Sequence, residues 1–472
     1  MFHRSFVLLL LFSFAACRST SPYQVRGTEA PLAPAPDFTV EQLERSVDAQ
    51  LNFEARSVEE FDDMALGVVE ITDDGLVNPS QKEQVFDLVG KRIRNEQNSL
   101  LVVFVHGWHH GPSVCDRDLA CFRRVLHRLA NSKELLERNV HVTGVYVGWR
   151  GESLNRPWNN FTLWDRKNVA QHIGRTGAKE VLLELDAMYN EVKRARPSSY
   201  MTMVTVGHSL GGALVFSAMK GMATGNAAGI VDGSPAGRTH RIVRAEGDRE
   251  SAAKRQVKAT RARLGDLVVL VNPAIEADEY KPFHADLPDS DTGSYRPGPD
   301  KALPYDEDQL PVLMAIASEA DEAVGKAFVA GRWVSAFRYP KIALDRSQRI
   351  GIGHYKPHIT HTLRYPDVEF EEKKVACGCP KQFDAPVNID NRPVDLTSRE
   401  KQDFGDLELE LASWRDKAKW DVHSPYLVVR ASRGVMREHS DIYNPVFVEF
   451  LTKFIRGYYT RAAQIQQRNA VK

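Results

Sequence analysis

Several things are scarce in this 472-residue chain, and each scarcity excludes something. Net charge is absent, with Lys plus Arg and Asp plus Glu both at 62. A nucleic-acid binder would show a basic excess, so no nucleic-acid partner is expected. One basic cluster, KRQVKATRARLG (254–265), reads as a solvated helix face. Cysteine is rare, at 5 residues, too few for a disulfide scaffold to replace a hydrophobic core. No internal repeat is evident, so a solenoid is not indicated. The N-terminal run SFVLLLLFSF is too short to cross a bilayer as a permanent helix.

That run has another reading. MFHR supplies positive charge, the apolar core follows, and Ala15-Ala16 stand immediately before Cys17. This is the layout of a secretory signal over residues 1–16. Phe14-Ala15-Ala16-Cys17 resembles the lipobox of bacterial lipoproteins, which implies lipidation at Cys17 and a membrane-anchored, exported protein of the bacterial cell envelope. Residues 17–37 are rich in Pro, Ala and Ser and read as a flexible tether. The remaining cysteines are Cys115, Cys121, Cys377 and Cys379. An even number in an exported chain favours disulfides, with three connectivities open. Cys115 and Cys121 are close enough to close a small loop. Cys377-Gly-Cys379 resembles half a metal site without its other half, so disulfide use is expected there.

From residue 38 onward the chain reads as one catalytic-sized domain with insertions near 151–163, 223–264 and 325–425. SLLVVFVHG (99–107) carries a continuous apolar run rich in β-branched residues, as a strand buried on both faces should. LACFRRVLHRLANSKELLER (119–138) has helical periodicity. HVTGVYVGWRG (141–151), MTMVTVGHS (201–209), DLVVLVNPAIEA (266–277), PVLMAIASEAD (311–321) and YLVVRAS (426–432) follow as strands. Helical segments at 164–195, after Ser209, and at 444–464 alternate with them. Asn444 is expected to cap the last helix with Pro445 at its first position. This alternation predicts a doubly wound, mostly parallel sheet with helices on both faces.

Gly-His-Ser-Leu-Gly, residues 207–211, sits where a strand runs directly into a helix. Gly207 and Gly211 leave room for a sharp turn that lifts the Ser209 hydroxyl above the sheet. A serine hydroxyl alone is a poor nucleophile and needs a base and an orienting acid. On these residues, and on their order along the chain, the protein resembles the α/β-hydrolase superfamily on its esterase and lipase side. The resemblance runs from about residue 99 to the end.

It implies a Ser, acid, His order with each residue beyond a strand end. Asp321 is the acid expected, ahead of Glu319, Glu322 and, after the preceding strand, Asp278. His439, between the last strand and the last helix, is the expected base; His423 precedes that strand and lies at its wrong end. The oxyanion hole is expected from the backbone N–H groups of Leu210 and Trp108, the latter in VFVHGWHHG. His109 and His110 are expected to line the mouth of the site. His354, His358 and His361 in GIGHYKPHITH are read as pocket-lining or hydrogen-bonded, since Pro357 interrupts any helix that would align them on a metal. No metal or organic cofactor is implied. The expected substrate is a small-molecule or lipid ester. Amide, peptide and thioester cleavage by the same residues stays open, as does a non-catalytic binding module on the same fold.

Overall fold

The computed structural model describes residues 57–113, 116–151, 163–227, 240–242, 257–259, 264–283, 308–321, 346–370, 378–396, 401–414 and 424–471. The signal, tether and Cys17, much of the expected insertions, and Glu322, Cys115 and Cys377 lie outside them.

An 11-stranded sheet forms the centre, in the order β1-β2-β4-β3-β5-β8-β9-β13-β10-β12-β11. Its members are β1 (Val58–Glu60), β2 (Met64–Ile71), β3 (Asn98–Val105), β4 (Val140–Trp149), β5 (Met201–His208), β8 (Leu267–Val271), β9 (Leu313–Ser318), β10 (His361–Arg364), β11 (Lys401–Phe404), β12 (Leu407–Leu411) and β13 (Tyr426–Ala431). From β2 across to β10 every neighbouring pair is parallel. Antiparallel strands are confined to the margins, β1 on β2 and β12 with β11 beyond β10. A separate antiparallel pair, β6 (His240–Ile242) and β7 (Val257–Ala259), lies in one of the expected insertions.

The central strands are predominantly apolar because helices cover both of their faces. On one face α1 (Pro79–Asn95), α4 (Leu163–Arg175), α5 (Gly177–Ala195) and α6 (Leu210–Ala227) pack against Leu101, Val103, Val105, Met203 and Leu270. On the other, α2 (Arg117–Ala130), the short α3 (Lys133–Leu136) and α7 (Pro445–Val471) cover Leu100, Val102, Phe104, Val204 and Val206. The helix starts follow local chemistry. Asn78 caps α1 ahead of Pro79 and accepts from the Gln81 N–H at 3.2 Å. Asn444 Oδ1 accepts from the Val446 N–H at 3.0 Å, with Pro445 opening α7.

Two expectations change. The region from 325 to 425 is not simply an insertion, because β10, β12 and β11 extend the main sheet past β13. Nor does Cys121 close a short loop with Cys115. It is joined to Cys379, 258 residues away, and so ties α2 to the strand-margin region. Closing so long a loop restricts the unfolded chain strongly, and removing such a bond typically costs about 2–5 kcal/mol. Cys121→Ser is therefore expected to lower the melting temperature, by about 2–4 °C for each kcal/mol lost. An unchanged melt would show that the bond contributes little.

Candidate active site

β3 is flanked by β4 on one side and β5 on the other. From β3 the chain moves outward to β4, whereas from β5 it moves the opposite way through β8, β9 and β13. Two loops therefore diverge beyond the C-terminal ends of β3 and β5, leaving the crevice where ligands bind in open α/β sheets. Ser209 sits there, on the single residue between β5 and α6.

Its backbone is strained. Ser209 has φ of 55°, the left-handed region that a side chain rarely adopts. Surrounding glycines make this turn possible. A Cβ at Gly207 would lie 2.8 Å from the Gly211 carbonyl, and one at Gly211 would lie 2.3 Å from the Val105 and His106 carbonyls. The chain crosses itself closely enough that only hydrogen fits.

The turn brings together residues far apart in sequence. Ser209 Oγ lies 2.6 Å from His439 Nε2, and His439 Nδ1 lies 2.7 Å from Asp321 Oδ2. The Asp321 side chain is fully buried, while the His439 ring is 20% exposed and reaches the crevice. Asp321 stands three residues past the end of β9, in a turn closed by its N–H on the Ser318 carbonyl. The rival carboxylates are elsewhere. Glu319 is half exposed and faces Arg430 and the Arg433 N–H. Asp278 accepts from the Ser347 hydroxyl at 3.3 Å.

The loop after β3 abuts the serine. A Cβ on Gly107 would stand 2.9 Å from both Ser209 Cβ and His208 Nδ1. Trp108 follows immediately, and Leu210 opens α6, where first-turn N–H groups have no partner within the helix. The two residues expected to supply N–H donors thus adjoin Ser209 and the glycine packed against it. His106 braces this loop from below. Its ring stacks between Tyr146 and Trp149, its Nδ1 donates to the Gly107 carbonyl, and its Nε2 accepts from the Trp149 N–H at 3.0 Å. Burial pushes its pKa down to about 4, so the ring is neutral. Trp149 is core, donating its indole N–H to the His106 carbonyl at 3.0 Å.

The expected role of His110 is corrected. Instead of lining the mouth it turns inward, toward Asp116 and Asp118 at the start of α2. The GIGHYKPHITH histidines also separate. Ile352–His354 is a single 3-10 turn, His358 faces the Ala277 carbonyl, and His361 begins β10.

Sequence reasoning missed Asn272 and His208. Asn272, fully buried and at φ of 42°, donates from its amide to the His439 carbonyl at 2.8 Å and accepts the Ser318 N–H at 2.8 Å. One side chain thereby ties the loop bearing the histidine to the strand end that leads to Asp321. His208 Nε2 also donates to the His439 carbonyl, at 3.2 Å. Burial, with His439 nearby, holds the His208 pKa well below the ordinary value, so it serves as a neutral donor. The signal for Asn272 was a polar residue directly after the apolar run LVVLV and before Pro273.

No family model matches the chain, and no curated protein matches it. Among solved structures it is similar to the crystal structure of an uncharacterized protein from Pseudomonas aeruginosa, at 10% identity and a TM-score of 0.25. That alignment covers 86% of this chain, which spans 56% of the other. A likeness so distant carries no argument about fold or function.

Proposed function

We propose that this protein is a serine hydrolase of the α/β-hydrolase type, acting on carboxylic esters through an acyl-enzyme. The observation that carries the reading is the continuous hydrogen-bonded chain from Asp321 through His439 to Ser209, with Ser209 on a strained strand-to-helix turn. The buried Asp321 carboxylate accepts the Nδ1–H of His439, leaving Nε2 as the atom that takes the Ser209 proton. Ser209 Oγ then attacks the ester carbonyl. The Leu210 and Trp108 N–H groups stabilise the oxyanion, and His439 returns the proton to the leaving alcohol. Water, deprotonated by the same Nε2, repeats the sequence on the acyl-enzyme and releases the acid. Every proton is carried by His439, so these steps run on the chain's own residues.

From the N-terminal sequence alone we further propose an envelope lipoprotein anchored through Cys17. No helix among the described residues is long and apolar enough to cross a membrane. Its partners would be an ester substrate and the membrane surface.

The test is a panel of p-nitrophenyl esters of graded acyl length, set beside matched anilides and thioesters. Ester turnover is expected to exceed anilide turnover at every chain length. Faster anilide cleavage would move the assignment to an amidase or peptidase, and preferential thioester cleavage to a thioesterase.

A further inference from the structure

Beside the nucleophile is a second cluster of ionisable groups that the reaction itself does not use. His110 Nδ1 lies 3.2 and 3.3 Å from the two oxygens of Asp116, and its Nε2 lies 3.5 Å from Asp118 Oδ1. Polar atoms of the three residues fall within 4.8 Å of one another. With a carboxylate on each ring nitrogen, the imidazole can satisfy both only as a double donor, that is, as a cation.

Further bonds run from this cluster into the backbone of the loop after β3. Asp116 Oδ2 accepts the Gly111 N–H at 3.0 Å, while its Oδ1 caps α2 through the Asp118 N–H at 2.8 Å. The His110 carbonyl accepts the Gly151 N–H at 3.2 Å, and the Tyr146 hydroxyl reaches the Gly111 carbonyl at 3.4 Å. Gly107 and Gly111 are the two ends of the stretch that contains Trp108: Gly111 is fastened to the start of α2 through Asp116, and the Gly107 carbonyl is held by His106 Nδ1. That helix is itself fixed, by the Cys121–Cys379 bond in its first turns and by the Tyr443 hydroxyl on the Asp118 carbonyl.

We propose that His110, bridging Asp116 and Asp118, is a positioning residue for the oxyanion hole: the bridge clasps the Gly107–Gly111 loop to the N-terminus of α2 and so holds the Trp108 N–H on the developing oxyanion. This rests on the serine-hydrolase reading above. A loop of this kind would otherwise be free to turn its N–H away, and a preorganised donor is worth most when it need not reorient during the reaction.

The electrostatics agree with the geometry. Burial works against the His110 charge, but Asp118 and Asp116 outweigh it and raise its pKa to about 9. Burial of Asp116 is in turn outweighed by His110, which holds that carboxyl low. Asp118 shares the same cation and has a buried Oδ2 without a hydrogen bond, so burial raises it to about 6. The other groups around the clasp are Arg117 on α2, His106 in the loop, His208 at the end of β5, Tyr146 on β4 and Tyr443 ahead of α7. Between these values His110 is positive and both carboxylates are negative. The clasp loses its cation as pH rises through about 9.

The experiment compares wild type, His110→Gln and Asp118→Asn. It uses p-nitrophenyl acetate turnover and the affinity of an alkyl trifluoromethyl ketone, whose hemiketal places an oxyanion in the hole. Each variant is expected to lose kcat by about 10- to 100-fold with KM changed less than about twofold, and to bind the ketone more weakly in the same proportion. His110→Gln should also lack the fall in kcat that the wild type shows near pH 9. Melting curves establish which variants are folded, and Asp118→Asn carries the same split if His110→Gln is not. Folded variants with wild-type kcat, ketone affinity and alkaline limb would overturn the clasp alone. A wild type that neither turns over the ester nor binds the ketone would overturn the hydrolase reading, and the clasp with it.

Discussion

Ser209→Ala is expected to lower kcat for any ester substrate by about a millionfold, to the level left by binding and the oxyanion hole. The methyl occupies space the hydroxymethyl already fills, so the fold should persist and the melting temperature should move little. KM should also change little, because the lost group acts only once bonds are forming. Loss of His439 should be about as severe, since Oγ has no other base within hydrogen-bond reach in the described structure. The double variant should then be no slower than either single one, because the two residues perform one proton transfer. Turnover of an activated ester, measured by stopped-flow for the wild type and over hours for the variants, checks both statements. Full additivity of the two losses would mean that the residues act separately.

Asp321→Asn is expected to cost about 10⁴-fold in kcat at neutral pH. The side chain is fully buried and its Oδ2 accepts a hydrogen bond from His439 Nδ1 at 2.7 Å. An amide in that place can present its NH₂ to Nδ1 and favour the tautomer with its proton on Nε2, where it blocks uptake of the serine proton. Geometry would be preserved while the base is disabled. By contrast Glu319→Gln, at a half-exposed residue turned toward Arg430, is expected to leave kcat within about twofold. The pair of variants separates the acid from its neighbour two residues away. Equal losses in both, or a greater loss in Glu319→Gln, would reassign the acid.

Much of this site was legible because its residues obey local rules. SLLVVFV and MTMVTV are apolar or β-branched at nearly every position, as a strand covered on both faces should be, and they became β3 and β5. Gly207 and Gly211 mark the tight crossing directly. Asp321 is preferred to Glu319 in sequence only because the acid of the resembled family sits a few residues past that strand; what separates them physically is that one is buried against His439 and the other turns outward. Three features escaped. Cys379 as the partner of Cys121 is a contact over 258 residues, about which spacing says nothing. LELEL at 407–411 alternates buried and half-buried as a marginal strand should, but it sits among polar, irregular segments that masked the pattern. His110 reads as lining the mouth of the site beside His109, because the carboxylates that draw it inward belong to the start of the next helix.

The most direct test of the central claim is covalent. The purified mature protein is treated with a fluorophosphonate, beside Ser209→Ala and His439→Ala, and the adduct is located by peptide mass spectrometry. The account predicts one adduct on Ser209 in the wild type, none in Ser209→Ala and labelling slowed to near background in His439→Ala. An unlabelled, folded wild type, or an adduct that survives in Ser209→Ala, would contradict it.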